Sequence, residues 1–414
     1  EPGAVPAGDL VRRVDVSGLT GNERRTVVVE RTAEAVDRLD PGAGVMLQAV
    51  WCDAGADEAG HLVLVVHHLA VDGVSWRILL PDLAQAYAAH ADGRQPVLQP
   101  VGTSVLQWAK ALHGLAHGPE REAELPLWSA VLTGADPLLG RRALDPARDV
   151  HARRRTMSLT LPEAWTTEVL TGVTKTFHAQ VNDVLLTAMA LAVQDWRRRR
   201  GLPGSAVLLD VEGHGREDVV PGTDLSRTVG WFTSLFPVRL EPELSDWDDL
   251  WAAGPTVGAA LKRVKEQIRA LPDHGIGYGL LRHLNPATAR TLARAGRPQI
   301  GFNYLGRFTT ATGSPDWEPD HEFGGFSGGA DPELPLAHTL ELNALTEDSP
   351  EGQRLVAHWS WAEDVFSQED VQDLARTWFK ALETLATHAQ NPDTGGHSPS
   401  DLPFVTLTQD DIDQ

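Results

Sequence analysis

Strand-length runs of apolar and β-branched residues alternate with helix-length segments along the chain. Residues 45–51 and 61–67 have this strand composition in the first part, and residues 206–212 have it in the second. Helical segments stand between such runs, among them residues 75–90 and 181–200. Because strands that alternate with helices usually form one sheet with helices packed on it, the pattern predicts an α/β fold.

The helix and strand pattern occurs twice in succession, which predicts two lobes of related build. A segment rich in Gly, Asp, Pro and Arg, residues 134–149, lies between the two halves and is the expected boundary. The first lobe would then comprise residues 1–150 and the second residues 151–390. Residues 391–414 are rich in Pro, Gly, Ser and Asp, so we expect an exposed C-terminal linker there.

Charge and composition exclude several classes of function. A formal net charge of −21 would repel a phosphate backbone, so we expect no nucleic-acid partner. No apolar run approaches the length of a membrane span, and the first residues lack a secretory signal, so we expect a cytoplasmic protein without a membrane partner. Cys52 is the only cysteine, which excludes an intrachain disulfide and a thiolate metal cluster.

The first string of residues with chemical potential, HHLAVDG at residues 67–73, directly follows an apolar strand. His67 and His68 would point to opposite sides of that strand, so one could face a cleft while the other packs. Imidazole suits proton transfer near neutral pH. Asp72 could orient a histidine or pair with an arginine, and Gly73 would permit a tight turn. On this string alone, catalysis and a structural turn both stay open, and no further ligand pair at metal-binding spacing accompanies it.

A second string, EGHGRE at residues 212–217, also follows an apolar strand. Desolvation of the Glu212 carboxylate at the end of that strand would raise its pKa and make it a usable acid or base. The alternative is a solvated loop carboxylate that pairs with Arg216. The two glycines fit neither the Walker nor the dinucleotide-binding spacing.

A third string, GFNYLG at residues 301–306, has strand composition. Asn303 and Tyr304 would alternate on the strand, so one of them could face a cleft. A buried phenol there could donate a hydrogen bond to a developing oxyanion. Ordinary core packing of the tyrosine is the alternative.

Together these strings resemble the condensation-domain superfamily of nonribosomal peptide synthetases, in the form found in epimerization domains. Six segments match the family's motifs in the expected order: residues 67–76, 181–186, 212–217, 224–237, 273–279 and 302–306. The similarity extends from about residue 10 to the end. The family's opening helix and strands have no counterpart here, so we expect the first lobe's sheet to lack strands. Pro81 replaces an acidic residue of the family pattern, and we expect it to kink its helix or reset the helix start.

The resemblance implies two chloramphenicol-acetyltransferase-like lobes, arranged as a V-shaped pseudo-dimer with a central tunnel. It further implies epimerization of an L-aminoacyl or peptidyl thioester to the D form, by deprotonation and reprotonation on opposite faces of the α-carbon. The implied catalytic residues are His68, Glu212 and Tyr304. The implied supporting residues are His67, Asp72, Gly73 and Asn303, with Asp72 in a structural role. Which of His68 and Glu212 removes the proton from the L form stays open.

The implied partners are an upstream peptidyl carrier protein domain, which presents the substrate on its phosphopantetheine arm, and a downstream synthetase module or condensation domain. We expect no cofactor or metal of the chain's own, because the thioester carbonyl is the electron sink. Two alternatives are a condensation domain that forms a peptide bond and a non-catalytic recruitment module. The strings around Glu212 and residues 230–234 argue against the first, and the intact His68 and Gly73 argue against the second.

Overall fold

The computed structural model describes residues 5–307, 317, 320, 329–349, 352–402 and 407–412. The described residues form two compact units. The first unit comprises those within Glu1–Trp108, Gly222–Phe232 and Thr310–Gly329. The second unit comprises those within Ala109–Pro221, Thr233–Thr309 and Ala330–Gln414.

The first unit is built on a three-stranded sheet in which β1 and β2 are parallel and β2 and β3 antiparallel. Its strands are β1 (Val11–Asp15), β2 (Leu47–Asp53) and β3 (His61–Val66). Its α-helices are α1 (Ala7–Leu10), α2 (Gly21–Asp37) and α3 (Gly73–Ala91), with short 3-10 turns at Pro41–Ala43 and His68–Ala70. A small apolar core, which includes Val28 and Cys52, holds α2 against the sheet.

The second unit is built on a six-stranded mixed sheet with the strand order β4-β9-β8-β7-β5-β6. The strands are β4 (Arg154–Leu161), β5 (Val207–Gly213), β6 (Ser234–Leu240), β7 (Ile300–Arg307), β8 (Leu340–Ser349) and β9 (Gly352–Ala362). Helix α4 (Val105–Ala116) crosses from the first unit into the second, where α5 (Pro119–Glu122), α6 (Leu125–Leu132), α7 (Glu163–Thr167), α8 (Thr174–Phe177) and α9 (Val181–Arg199) follow. The remaining helices are α10 (Trp247–Trp251), α11 (Pro255–Arg269), α12 (Ile276–Gly279), α13 (Pro286–Arg294), α14 (Gln368–Ala389) and α15 (Gln409–Ile412). Short 3-10 or π turns lie at His151–Arg153, Glu168–Val173, Pro272–Gly275, Leu280–Leu284 and Pro399–Asp401.

Helix α9 is the centre of the second unit's core. It is buried on nearly every side and contacts α14, α11 and β5. The Trp378 indole of α14 donates a hydrogen bond to the Leu185 carbonyl oxygen (3.2 Å) and meets the Trp359 ring edge-on. A helix that is buried on nearly every side is enclosed by other elements, so α9 lies at the centre of the helical layer.

The predicted α/β class is confirmed, and several elements agree closely with the sequence. Thr20 and Glu23 have the spacing of a capping box, and they form one at the start of α2. The helix expected at residues 181–200 is α9, and it ends before Gly201, which has a left-handed φ of 66°.

The composition of residues 247–270 predicts one helix, but two helices, α10 and α11, occupy this stretch. Ala253 adopts a left-handed φ of 59°, and Pro255 lacks the N–H that would continue the first helix. The Asp249 carboxylate instead accepts the Thr256 N–H (2.9 Å) across the break.

Pro81 does not reset the start of its helix. Helix α3 begins at Gly73, eight residues earlier, and continues past Pro81 to Ala91. The carboxylate of Asp72 caps the helix start, so the local cap determines where α3 begins.

The first long segment of the first unit ends at Trp108, and not near residue 150 as the sequence predicted. The reason is that α6 packs on β6, where the Arg239 side chain donates a hydrogen bond to the Val131 carbonyl oxygen (2.8 Å). Residues between α4 and β4 therefore belong to the second unit.

Residues 391–393, 396 and 397 are exposed, as expected of a linker, but the stretch around Ser398 and Asp401 packs on the second unit. Lys265 is fully buried and donates hydrogen bonds to Asp401 (2.6 Å) and to the Phe177 carbonyl oxygen (2.9 Å). The buried Ser398 hydroxyl donates to Glu266 (2.6 Å). The polar composition of this stretch predicted exposure, but Ser398 and Asp401 form hydrogen bonds with Glu266 and the buried Lys265. Residues 403–406, 413 and 414 of the expected linker lie outside the described residues.

Candidate functional site

The two adjacent histidines lie just beyond β3, because that strand ends at Val66. Their expected alternation on a strand is therefore wrong. The His67 Nδ1 accepts the Leu69 N–H (3.2 Å), so this ring caps the turn that follows it. The His68 side chain is exposed, and its ring centroid lies 4.5 Å from that of Trp231 at a tilt of 52°. None of the described residues forms a hydrogen bond with the His68 ring, which leaves both nitrogens open for proton transfer.

Asp72 is a buried residue of the first unit, 5% exposed, and its carboxylate accepts hydrogen bonds from two segments of that unit. One carboxylate oxygen accepts the Ser75 N–H (2.8 Å) and hydroxyl (2.7 Å), and the other accepts the Phe232 N–H (3.2 Å). The Ser75 hydroxyl oxygen also accepts the Gly230 N–H (3.1 Å) and lies 3.0 Å from the Gly230 carbonyl oxygen. These bonds tie the start of α3 to residues 230–232, so two motifs far apart in sequence meet at Asp72.

Gly73 is the first residue of α3 and is exposed. Its φ is not in the left-handed region, so the backbone here does not depend on the conformational freedom of glycine. A Cβ added to Gly73 would meet no atom within 4 Å. The packing of this chain therefore does not require glycine here, and the missing side chain leaves open space at the helix start.

Glu212 lies near the end of β5 and is partly buried. Burial raises the pKa of its carboxyl to about 7, repulsion by Glu341 adds to the rise, and His338 opposes it. No hydrogen bond from a described residue reaches this carboxylate. Nor does it form an ion pair within the described part of the chain, so the alternative pairing with Arg216 does not hold. At neutral pH such a carboxyl is divided between its protonated and ionised forms, as an acid–base catalyst requires.

A buried cluster that the sequence did not reveal lies on the same face of the sheet. The His338 ring bonds through Nε2 to Asp210 (2.9 Å) and through Nδ1 to Glu341 (3.1 Å). Since both ring nitrogens meet carboxylates, both must carry protons and the ring is cationic. Burial alone would lower the pKa of His338, but the bonds to Asp210 and Glu341 raise it to about 9. Asp210 and Glu212 are two residues apart on β5, so they share one face of the strand.

Strand register separates Asn303 from Tyr304. Pairing of β5 with β7 joins Val211 to Phe302, so Asn303 follows on the Glu212 face and Tyr304 on the other. Tyr304 packs against the apolar core, and its hydroxyl lies 2.9 Å from that of Thr346. Burial raises the pKa of the Tyr304 phenol. Tyr304 therefore packs in the core on the face opposite Glu212, and its expected assistance at the reacting centre, like that of Asn303, stays a prediction.

The other residues of the 212–217 string meet a further motif within the second unit. Glu217 lies 3.5 Å from the His214 ring nitrogen and 4.0 Å from that of His274. Asp273 and His274 have left-handed φ angles of 43° and 52°, a strained conformation for residues other than glycine. A cavity of about 550 Å³ opens here. Its lining residues are Gln180, Asp183, Glu217, Asp218, Val219, Ile268, Arg269, Leu271, Asp273 and His274.

Two absences among the described residues bear on the expected classes. These residues contain no group of three or more side chains arranged to hold a metal ion. None of their helices combines the length and apolarity needed to cross a bilayer.

Comparisons with known proteins agree with the resemblance that the motifs carry. The family described as the condensation domain matches residues 22–401. One of the proteins that make up the linear gramicidin synthase of Brevibacillus parabrevis is 34% identical over 97% of this chain, which spans 5% of that protein. Chondramide synthase of Chondromyces crocatus is 32% identical over 98% of this chain, which spans 10% of it.

Among solved structures, the epimerization domain from the third module of tyrocidine synthetase B is similar, with a TM-score of 0.73. It is 29% identical to this chain, and the similarity covers 92% of this chain and 79% of that one.

Proposed function

Because this chain belongs to the condensation-domain family and has its mixed α/β fold, we propose that it is an epimerase acting on carrier-bound thioesters. It inverts the α-carbon of an L-aminoacyl or peptidyl group to the D form. The similarity to a tyrocidine synthetase epimerization domain supports this choice within the family. The six ordered motifs of the sequence support it independently.

The observation that carries the proposal is the state of Glu212. Peptide-bond formation by a condensation domain does not require a second proton-transfer group, whereas inversion of a carbon centre does. Glu212 is a partly buried carboxyl with a pKa of about 7 and no hydrogen bond from a described residue. A carboxyl committed to the fold would be bonded to it, so this one is available to a substrate.

The reaction needs one proton removed and one returned. A base takes the α-proton, and the electron pair of the C–H bond moves onto the thioester carbonyl to give an enolate. A protonated group on the opposite face then donates a proton to the α-carbon, and the carbonyl is restored. His68 and Glu212 are these two groups in our proposal, and each returns to its starting state when the reaction runs in reverse.

The negative charge of the enolate rests on the thioester oxygen, where a hydrogen-bond donor lowers the barrier. Asn303 follows Phe302 on the Glu212 face of the sheet, and its amide NH₂ is a suitable donor. Trp231, in contact with the His68 ring, orients that imidazole. Asp72 and His67 hold the surrounding backbone, and the bare Gly73 leaves room for the substrate.

The substrate reaches the site on the phosphopantetheine arm of an upstream peptidyl carrier protein domain, and a downstream synthetase module or condensation domain accepts the product. The chain spans a small part of the synthetases it resembles, which agrees with such neighbours. The thioester carbonyl supplies the electron sink, so the chemistry needs neither a metal nor an organic cofactor.

The test loads a carrier protein with an L-aminoacyl group through phosphopantetheine, adds this chain, hydrolyses the thioester and separates the enantiomers by chiral chromatography. We expect a mixture of D and L forms that is also reached from the D-loaded carrier. A second reaction offers an aminoacyl acceptor carrier. Dipeptide formation without inversion would identify a condensation domain, and neither product would identify a non-catalytic module.

A further inference from the structure

The cluster around His338 lies within one row of the sheet. Register places Asp210 of β5 beside Gly301 of β7, Gly301 beside Glu341 of β8, and Glu341 beside Ser360 of β9. A Cβ added to Gly301 would lie 2.7 Å from the His338 Nδ1. The imidazole therefore lies directly over Gly301, in the space that a side chain would occupy, with a carboxylate on either side.

This row adjoins the position of Glu212. Asp210 and Glu212 project from the same face of β5, one pleat apart. The charged members of the row act on Glu212 in opposite senses: Glu341 repels its carboxylate and His338 attracts it. With two carboxylates around one imidazolium, the row has a net charge of −1 at neutral pH.

We propose that His338 and Glu341 are positioning residues for catalysis. Their charges determine how easily the Glu212 carboxyl takes up and releases a proton. This inference rests on the proposed function of Glu212. Neither residue belongs to the motifs that carry the family resemblance. His338 is buried and Glu341 is partly buried, so water screens their charges only weakly. Such a setting makes those charges effective at the distance of one pleat.

The charges that act on Glu212 are those of Glu341 and His338. Arg154 and His151 interact with Glu341, and Tyr278 interacts with Asp210, while Arg282 and Arg297 act on Tyr278. The neighbouring strands contribute Asn303 from β7 and Leu235 from β6 next to Glu212, and neither side chain is charged.

Glu341 and His338 carry opposite charges, so removing one or the other should shift the titration midpoint of Glu212 in opposite directions. In Glu341→Gln the repulsion disappears while His338 keeps its bond to Asp210, so the titration midpoint of Glu212 falls by about one pH unit. In His338→Gln the attraction disappears, so the midpoint rises. Gly301→Ala moves the ring aside without removing it and shifts the midpoint in the same direction as His338→Gln. His358→Gln, at an exposed histidine one pleat further along β9, is the matched control and causes no shift.

The midpoint is measured by carbon-13 NMR of protein labelled at the glutamate carboxyl carbon, with the Glu212 signal assigned by its loss in Glu212→Gln. The pH profile of kcat/KM for epimerization is recorded with the same variants, and its limb governed by Glu212 should move with the midpoint. A purely structural cluster would lower the unfolding midpoint without opposite shifts. Unchanged midpoints, or shifts of one sign in Glu341→Gln and His338→Gln, would overturn the inference.

Failure of the proposed function is recognised separately. If the wild-type chain inverts no thioester, the epimerase assignment fails, while the NMR titration still decides whether the cluster controls Glu212. If His338→Gln does not fold, Gly301→Ala and Glu341→Gln retain the predicted opposition of sign. If Glu341→Gln does not fold, a rise of the midpoint in both His338→Gln and Gly301→Ala, with none in His358→Gln, is the expected result, and an unchanged midpoint overturns the inference.

Discussion

Removal of the Asp72 carboxylate should damage the fold of the first unit more than its chemistry. Asp72→Ala removes the cap of α3, which is worth about 1 kcal/mol. It also removes the carboxylate oxygen that accepts the Phe232 N–H, at a further cost of about 1–3 kcal/mol. Because Ser75 and Phe232 are buried, water cannot easily replace these bonds. The sum is a loss of roughly 2–4 kcal/mol in the free energy of unfolding.

Urea unfolding measures this loss. At a slope of about 2 kcal/mol per molar, the midpoint should fall by roughly 1–2 M. Fluorine-19 NMR of fluorotryptophan-labelled protein separates the two units, since Trp76 and Trp231 report on the first. Asp92→Ala is the matched control, because Asp92 caps the other end of α3 from an exposed position and its loss should change stability by less than about 0.5 kcal/mol.

The catalytic rate of folded Asp72→Ala distinguishes the two roles of Asp72. We expect residual epimerization that follows the folded fraction. An unchanged unfolding midpoint combined with abolished turnover would refute the structural role and make Asp72 a direct participant.

Three further predictions follow from the same contacts. Glu212→Gln should stabilise the protein by about 1–3 kcal/mol at pH 8.5 and not at pH 4, because the raised pKa of Glu212 costs the wild type stability as the pH rises from 4.5 through about 7. Urea unfolding midpoints at the two pH values measure this difference, and a difference that does not depend on pH would contradict the prediction. Trp231→Ala should slow epimerization about tenfold without changing the unfolding midpoint, because Trp231 is 52% exposed but contacts the His68 ring. Trp231→Phe should keep most of the rate, and equal rates in both variants would contradict a role for this ring contact. Asp401→Ala should lower the free energy of unfolding by about 3 kcal/mol or more, because it leaves the buried Lys265 without its carboxylate partner. Thermal unfolding that matches the wild type would show that the segment after residue 390 does not support the core.

Local signals in the sequence predicted the elements well. The capping pair Thr20 and Glu23, the apolar strand of residues 206–212 and the helix end at Gly201 each depend on residues close in sequence. The α/β class followed from the alternation of such elements. The helix break at Ala253 was missed because a left-handed alanine has no residue signature, although Pro255 next to it could have indicated the break.

The site depended on pairings that no local pattern specifies. The alternation of Asp210 and Glu212 on an apolar strand could have indicated a polar face, but His338 lies 128 residues from Asp210 in sequence. The sequence left open which of Asn303 and Tyr304 faces a cleft, because strand register, and not composition, decides which of two neighbouring residues lies on the Glu212 face. Likewise, Asp401 is 136 residues from the buried Lys265 that it pairs with.

The two-base mechanism is tested most directly by isotope exchange in deuterated water. His68→Ala and Glu212→Gln are each incubated with an L-loaded and with a D-loaded carrier, and both α-deuterium content and chirality are measured. Glutamine keeps the shape of the carboxyl but removes its basicity, so lost packing does not confuse the comparison. We expect neither variant to invert. One should exchange the α-hydrogen of the L form alone, and the other that of the D form alone, which assigns a face to each residue. Inversion by both variants at near wild-type rates would show that neither His68 nor Glu212 is essential.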